Sequence, residues 1–391
     1  MFWTPPPKIR RRQALALLLA GPAPLISDAS DDTGKLRSAV DATIRPLMAR
    51  HDIPGMAVAL TIGGRPHAFH YGVSSRQSRA PVTGATLYEI GSISKMFTCT
   101  LAAHAQASGL LSLDDHPGRY IPRLSGRPID QATLLHLGTH TAGGLPLQFP
   151  DEVGDDEAAI AYFHAWQPDA PPGTVRRYSN PSIGLLGAVT AAAMKDRFAD
   201  LIKTRLLPKF GMTHSHIRVP AGEEAHYAWG HRDGKAVRVS PGPLADEAYG
   251  IKSTATDMIR FVQAHIDPSG LEPSLRRAVE TTQVGHFRVG GMVQGFGWEQ
   301  FPHPLSRERL LSGNAPEVIF DPHPVQAVPS GWAAAPRLFD KTGSTGGFGA
   351  YVAFAPAAGL GLVMLANSNF PIPARVDAAC AILDRLNPGP R

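Results

Sequence analysis

The stretch Glu89-Ile90-Gly91-Ser92-Ile93-Ser94-Lys95-Met96-Phe97 places a serine and a lysine three residues apart at the start of a helical run. Side chains at this spacing share one helix face, and the first N-H groups of a helix are unpaired. The positive potential there favours negative charge near Ser92, and a neutral Lys95 could take its proton. Alone the pattern is weak, because an N-capping serine followed by a surface lysine has the same spacing.

A second polar group lies at Tyr178-Ser179-Asn180, after the loop Pro171-Pro172-Gly173 and before a predicted helix. The spacing could bring a phenol and an amide to one site. A tyrosine held between two ammonium groups has a stabilised phenolate, which makes Tyr178 a candidate general base near neutral pH. An Asn N-cap after a core tyrosine is the simpler interpretation if this group stands alone.

The third group, Lys341-Thr342-Gly343-Ser344, lies on a strand-like run before glycine-rich turns. Because Gly343 lacks a Cβ, the amide backbone of a substrate could lie against that edge like an added strand. The two residues before the glycine could bind a carboxylate. The backbone N-H of Ser344 would then pair with that of Ser92 as an oxyanion hole. A hairpin with an exposed lysine is the alternative.

Apolar periodicity outlines the fold around these groups. Helical spacing covers Leu36 to Met48 and Pro373 to Leu386, and alanine- and leucine-rich helical patterns fill most of Thr98 to Leu207. Strand-like runs are Met56 to Ile62, His67 to Val73, Leu338 to Ser344, Ala350 to Phe354 and Leu360 to Ala366. The pattern predicts an α/β (α+β) protein with a mainly antiparallel sheet, built from both chain ends and flanked by helices, plus an inserted all-helical domain. We place the discontinuous α/β domain at residues 30–107 and 206–391 and the helical domain at 108–205.

The first 29 residues are typical of an export signal. A basic run, Lys8 to Arg12, precedes the apolar stretch Ala14 to Ala20, and Ser27-Asp28-Ala29 supplies small residues for cleavage after Ala29. Arg11-Arg12 also fits a twin-arginine signal, so either route leads to a periplasmic protein. This segment carries four basic residues against one acidic residue, and therefore most of the formal charge of +5. The remainder gives no support for nucleic-acid binding. Without an apolar run of membrane-spanning length, we expect no membrane span in the mature protein.

The sequence predicts no metal or cofactor. His136 and His140 lie four residues apart, but they lack the glutamate of a His-Glu-x-x-His motif and a third ligand. Loop packing is therefore favoured for both histidines. The two cysteines, Cys99 and Cys380, are expected to be buried free thiols, although one long-range disulfide stays open at this point.

The three groups, in this order, resemble those of the active-site-serine penicillin-recognising enzymes. Tyr-Ser-Asn in place of Ser-Asp-Asn resembles class C (AmpC-type) serine β-lactamases. Further similar stretches are Gly55-Met56-Ala57-Val58, Thr141-Ala142-Gly143-Gly144-Leu145-Pro146-Leu147-Gln148, Tyr227-Ala228-Trp229-Gly230, Glu247-Ala248-Tyr249-Gly250, Ala350-Tyr351-Val352-Ala353-Phe354 and the run from Met364 through Ala379. The resemblance covers essentially the whole chain after residue 33.

The resemblance implies a β-lactamase/DD-peptidase-like fold and a monomer that hydrolyses cephalosporins and penicillins through an acyl-enzyme, conferring antibiotic resistance. The catalytic residues it implies are Ser92 as nucleophile, Lys95 and Tyr178 for proton transfer, Lys341 at the substrate carboxylate, and Ser344 in the oxyanion hole. The substrate-binding residues it implies are Gln148, Asn180, Tyr249, Thr342, Gly343, Ile372 and Arg375. Ile372 is a departure, because the family often has asparagine there, and one polar contact to the substrate carboxylate is therefore missing.

Three other functions stay open on the sequence alone. A D-alanyl-D-alanine carboxypeptidase or an esterase shares the first two groups, although many of them replace the lysine of Lys-Thr-Gly. A β-lactam sensor would stay acylated at Ser92, but no signalling module accompanies this chain. A protein that has lost its chemistry would not need all three groups.

Overall fold

The computed structural model describes residues 29–304, 306–328 and 335–386. Residues 1–28 of the predicted export signal lie outside the described residues. The helices are α1 (Ala29–Arg50), α2 (Ser94–Ala107), α3 (Leu134–Gly138), α4 (Asp156–Ala165), α5 (Asn180–Met194), α6 (Phe198–Leu201), α7 (Ala245–Ala248), α8 (Ala255–Ile266), α9 (Pro273–Thr282), α10 (Arg307–Gly313), α11 (Pro316–Phe320) and α12 (Ile372–Leu386). In this part of the chain, none of these helices combines the length and the apolar character that a membrane span requires.

Sixteen strands accompany the helices in the described part of the chain. They are β1 (Gly55–Ile62), β2 (Arg65–Gly72), β3 (Tyr88–Glu89), β4 (Val175–Arg176), β5 (Ser215–His216), β6 (Gly230–Arg232), β7 (Lys235–Val237), β8 (Lys252–Ser253), β9 (Gly285–Val289), β10 (Met292–Gly295), β11 (Glu299–Pro302), β12 (His323–Pro324), β13 (Gln326–Ala327), β14 (Arg337–Ser344), β15 (Gly349–Ala355) and β16 (Leu360–Ala366).

The main sheet has nine strands in the order β13-β9-β10-β11-β14-β15-β16-β1-β2, and its neighbouring strands are antiparallel. β1 pairs with β16 from Met56 opposite Ala366 to Ile62 opposite Leu360. A strand from the N-terminal part of the chain and one from the C-terminal part are therefore neighbours in the sheet. The predicted antiparallel sheet built from both termini is confirmed.

Two hydrophobic cores cover the two faces of this sheet, because side chains alternate along a strand. On β16, Val363 and Leu365 belong to one core and Leu362 and Met364 to the other. The first core packs against α2, α5, α8 and α9, and the second against α1 and α12. The Ser-x-x-Lys segment therefore lies on the first face.

This layering also settles the open question of the cysteines. Cys99 lies in the first core and Cys380 in the second, and both are free thiols. The sheet separates them, so no disulfide joins them.

The sequence analysis missed part of the sheet. β9, β10 and β11 are short strands joined by turns at Gly290 and Gly297, both of which have positive φ. Their apolar pattern is too brief and too often interrupted by glycine to stand out. The segment 108–205 contains α3 to α6, but it also contains β4, which pairs with β12. Helices are therefore its main regular structure, but the segment is not all-helical.

Candidate active site

Ser92 lies in a single 3-10 turn, Gly91–Ile93, that leads directly into α2. Gly91 has φ +53°, and a Cβ there would approach the backbone nitrogen of Ser344 to 2.5 Å. Only glycine accommodates both this backbone conformation and this contact. The close approach brings the C-terminal end of β14 against the turn that carries Ser92.

Lys95 is completely buried, and its Nζ donates three hydrogen bonds. The acceptors are Ser92 Oγ at 3.1 Å, Asn180 Oδ1 at 2.6 Å and the Ala248 carbonyl oxygen at 2.8 Å. Burial lowers the pKa of Lys95, and the nearby charge of Lys341 lowers it further, against an opposing contribution from Tyr178. At a given pH, a larger fraction of Lys95 is therefore in the neutral form that could accept the serine proton than for a solvated lysine.

Tyr178 lies between the two lysines of the site. Its ring centroid is 5.2 Å from Nζ of Lys95 and 4.9 Å from Nζ of Lys341. Burial would raise the pKa of Tyr178, but the charges of Lys341 and Lys95, with a contribution from the Ser92 hydroxyl, hold it below the usual value. Its hydroxyl has no partner in good hydrogen-bonding geometry within the described residues. The tyrosine therefore has the environment of a candidate base.

Lys341 is held by a carboxylate that the sequence analysis did not identify. Its Nζ lies 3.3 Å from Oε1 of Glu299, and NH2 of Arg176 lies 3.2 Å from the same oxygen. Burial would lower the pKa of Lys341, but Glu299 first, and then Tyr178, raise it above the usual value. Lys341 therefore supplies a stable positive charge beside Tyr178.

Asn180 is the first residue of α5, after Ser179, whose side chain accepts a hydrogen bond from the Ser182 N-H as N-cap. The N-H of Asn180 donates to the Leu147 carbonyl at 3.0 Å. This contact places the exposed Gln148 next to the start of α5. The Oδ1 of Asn180 accepts from Lys95, so only its amide NH2 remains for a substrate.

The structure corrects the reason given for Gly343. A Cβ at this position would lie 2.0 Å from the Ile90 carbonyl oxygen, so glycine is required by packing against the Ser92 segment. An open edge for a substrate nevertheless exists, because β11 pairs with β14 only as far as Asp340. Thr342 is buried on the same strand, opposite Tyr351 of β15.

Arg375 and Ile372, two of the implied substrate-binding residues, both lie in the first turn of α12. Arg375 is only 1% exposed, and its guanidinium donates to the Gly343 carbonyl at 2.7 Å and to Ser344 Oγ at 2.9 Å. Burial lowers its pKa to about 9. Arg375 therefore supports the end of β14 through contacts with Gly343 and Ser344. Of these three residues, only Ser344 is exposed. Ile372, at the start of α12, is half-buried against the second core.

Tyr249 directly follows Ala248, whose carbonyl holds Lys95. Its hydroxyl accepts a hydrogen bond from the Gly242 N-H at 3.2 Å. A cavity of about 840 Å³ beside it is lined by Tyr249, Leu244, Glu247 and Lys252, among others, but not by Ser92. Tyr249 thus forms part of a wall close to the site, and the cavity is separate from the serine.

Both histidines that had been considered as metal ligands have other contacts. Nδ1 of His136 accepts from the Thr133 N-H in the capping box of α3. Nδ1 of His140 accepts from the Ser179 N-H, and its ring lies 4.5 Å from that of Tyr178. Among the residues that the structure describes, no group of three His, Cys, Asp or Glu side chains could hold a metal ion.

The residues missed from the sequence are those that support the site rather than form it. Glu299 is an isolated acid in the apolar run Gly295-Phe296-Gly297-Trp298, and that isolation is the signal that could have revealed it. Arg176 and His140 have no comparable signal, because their partners come from distant segments.

Comparison with known proteins agrees with this geometry. Residues 40–387 match the family model described as Beta-lactamase. The chain is 47% identical over 354 residues to a Beta-lactamase of Pseudomonas fluorescens, covering 90% of this chain and 99% of that protein. It is 44% identical over 354 residues to a Beta-lactamase of Escherichia coli K12, covering 90% of this chain and 94% of that protein.

Solved structures give the same picture. A crystal structure of D-alanine carboxypeptidase AmpC from Burkholderia cenocepacia matches with a TM-score of 0.85 and 48% identity, over 90% of this chain and 99% of that one. A structure of β-lactamase/D-alanine carboxypeptidase from Pseudomonas syringae matches with a TM-score of 0.87 and 43% identity, over 90% and 99%.

Proposed function

This chain belongs to the β-lactamase family as a class C serine enzyme, and on this basis we propose that it hydrolyses the amide bond of cephalosporins and penicillins through an acyl-enzyme on Ser92. The observation that carries the proposal is the contact of Lys95 with Ser92 at 3.1 Å beside a tyrosine of lowered pKa. A serine next to a buried amine and a candidate base is the arrangement that nucleophilic acyl transfer requires.

In the first step, Ser92 Oγ attacks the lactam carbonyl carbon, and the carbon–nitrogen bond of the ring breaks. The serine proton passes through Lys95 and Tyr178 to the departing nitrogen. The backbone N-H groups of Ser92 and Ser344 bind the developing oxyanion, where one lost donor typically costs about 3–4 kcal/mol of barrier. In the second step, water attacks the ester carbon while Tyr178 or the freed nitrogen takes a proton from it. The bond from this carbon to Ser92 Oγ then breaks, and the proton returns to the serine.

Two groups of residues bind the substrate in this proposal. Lys341 and Thr342 bind the carboxylate of the substrate, while the amide NH2 of Asn180 and the exposed Gln148 hold the acylamide side chain. Ile372 offers no polar group here, which shifts the balance among substrates without changing the chemistry. We also propose that the enzyme acts in the periplasm, after removal of residues 1–29, and thereby confers resistance.

A second candidate is D-alanyl-D-alanine carboxypeptidase activity, which the names of the two structural neighbours favour. The same serine would attack a linear peptide bond instead of a strained ring.

One experiment separates these functions. Purified protein is mixed with a chromogenic cephalosporin and, separately, with a D-alanyl-D-alanine peptide, and turnover and intact mass are recorded. Rapid multiple turnover of the cephalosporin supports the β-lactamase, whereas a persistent adduct with release of D-alanine from the peptide supports the carboxypeptidase. Ser92→Ala must abolish both adduct and turnover; if this variant retains turnover, Ser92 is not the nucleophile.

A further inference from the structure

Two buried acidic residues lie opposite each other on neighbouring strands, close to Lys341. Glu299 of β11 and Asp340 of β14 are directly opposite in the antiparallel register. Asp340 is completely buried, and Glu299 is 5% exposed. Residues opposite each other in such a pair have Cβ atoms only about 4.5–5.5 Å apart, and like charges there are destabilising. Away from water, the negative charge of Glu299 therefore disfavours a second negative charge on Asp340.

The remaining contacts of the pair divide unequally. Glu299 accepts from the cations Arg176 and Lys341. Asp340 accepts only from neutral donors through Oδ2, namely Asn314 Nδ2 at 2.7 Å and the Tyr351 hydroxyl at 2.8 Å. Its Oδ1 is buried without a hydrogen-bond partner among the described residues. The charge therefore belongs on Glu299 and the proton on Asp340.

Asp340 also immediately precedes Lys341 on β14. Of the elements packed around it, β11 contributes Glu299, β15 contributes Tyr351, α10 is followed by Asn314, and α12 contributes the Cys380 thiol. Arg176 of β4 acts on the pair through Glu299. Both cations also lie beside the Tyr178 ring, with Nζ of Lys341 4.9 Å and Cζ of Arg176 5.6 Å from its centroid, and Lys341 is the nearer.

We propose that Asp340 is a positioning residue that carries a proton beside the charged Glu299 and thereby sets the net charge presented to Lys341 and, through it, to Tyr178. This inference rests on the proposed function, because its kinetic readout is β-lactam turnover. When the proton is present, the cluster holds one negative charge against two cations. When it is lost, a second negative charge next to Lys341 weakens the positive potential that stabilises the Tyr178 phenolate.

We expect loss of this proton near neutral pH. Burial raises the pKa of Asp340 to about 7, the charge of Glu299 adds to this effect, and Asn314, Tyr351 and Lys341 oppose it. The wild-type enzyme should therefore lose efficiency above neutral pH relative to a variant in which position 340 cannot ionise.

The test compares wild type with Asp340→Asn, in which an amide replaces the protonated carboxyl at nearly the same size. We expect the ratio of kcat/KM for a chromogenic cephalosporin, variant over wild type, to rise from about 1 at pH 6 to about 3 or more at pH 8.5. Tyr351→Phe is the matched control, because it removes one hydrogen bond to Asp340 and leaves the ionisable group. It should retain the step in the pH profile at a higher pH. Parallel profiles for wild type and Asp340→Asn would overturn the proposal.

A second measurement does not depend on activity. In protein labelled with ¹³C at aspartate carboxyl carbons, one resonance should titrate near pH 7, disappear in Asp340→Asn and move to higher pH in Tyr351→Phe. If no aspartate titrates between pH 5 and 9, Asp340 loses no proton in this range and the proposal fails. If the wild type shows no turnover, the proposed function is refuted, but the proposal for Asp340 is not. The titration of the resonance would then show whether Asp340 loses a proton near pH 7. If Asp340→Asn does not fold, the shift in Tyr351→Phe assigns the resonance.

Discussion

Oδ1 of Asn180 lies 2.6 Å from Nζ of Lys95, so the first residue of α5 holds the lysine that contacts Ser92. The sequence analysis gave this asparagine to the substrate. In the structure one half of its amide serves the catalytic machinery and the other half faces outward. Removal of the amide affects both roles, and the kinetic step that changes tells them apart.

Asn180→Leu keeps the size of the side chain and removes the acceptor. Hydrogen bonds to charged groups contribute about 1.5–3 kcal/mol, so we expect kcat/KM to fall about 10–100-fold, with a loss in the acylation rate measured by stopped flow. Gln148→Leu is the matched control, because Gln148 is exposed and has no contact with Lys95 among the described bonds. An unchanged acylation rate with only a raised KM in Asn180→Leu would show that the asparagine acts on the substrate alone.

Gly343→Ala tests the contact between β14 and the Ser92 segment. The new Cβ would lie 2.0 Å from the Ile90 carbonyl oxygen, so the strand or the turn must shift. We expect a loss of about 1–3 kcal/mol in the free energy of unfolding, measured by urea denaturation, together with reduced kcat. Gly346→Ala is the control, since a Cβ there meets only Arg232 NH1 at 3.6 Å. Equal stability of the two variants would contradict the packing argument.

Lys341→Met removes the positive charge whose Nζ lies 4.9 Å from the Tyr178 ring centroid. This charge lowers the pKa of both Tyr178 and Lys95, so its loss raises both. A base must be unprotonated to act, and the acidic limb of the kcat/KM profile should therefore move to higher pH by about 1–2 units. Lys209→Met, which breaks only a surface ion pair with Glu272, should leave the limb in place. A limb that stays fixed in Lys341→Met would exclude both groups as the base.

Glu247 gives the protein a pH-dependent stability. Burial raises its pKa to about 8. The folded state therefore retains a proton that the unfolded chain loses near its ordinary pKa of 4.5, and stability falls as pH rises between these values. Glu247→Gln should remove about 2–4 kcal/mol of this decline, measured as the unfolding free energy at pH 5 and pH 8.5. Glu280→Gln, at an exposed position of α9, should retain the decline of the wild type. A wild type equally stable at both pH values would rule out the buried proton.

Much of the fold follows from local pattern. The long strands β14, β15 and β16 have continuous apolar runs and clear turns, and α12 has helical periodicity, so these four were predicted close to their observed bounds. α1 was also predicted, but it begins seven residues before the expected Leu36. The short strands β9 to β11 were missed because a strand of four or five residues has too few alternations to be distinguished from a loop.

The site divides in the same way. Ser92, Lys95, Tyr178 and Lys341 are linked by their spacing to a recognisable chemistry, and the structure brings all four together. Their catalytic roles stay predictions until activity is measured. The substrate-binding role of Arg375 stays a prediction, because a sequence does not tell whether an arginine faces a ligand or, as its contacts here show, supports the end of a strand. Glu299 and Arg176 were missed because pairing of distant segments creates their contacts.

The pairing of β1 with β16 also governs how the protein is made. β1 is synthesised early, yet its inner neighbour in the sheet belongs to the last strand of the chain. β1 can pair with β2 at once, but its other edge stays unpaired until β16 has been synthesised, and such non-local sheets fold slowly and are prone to aggregation. Ser344 ends β14, and it reaches its place beside Ser92 only after β14 has been synthesised and has joined the sheet. The catalytic centre therefore assembles late in synthesis, and we expect a product that ends before Ser344 to be inactive.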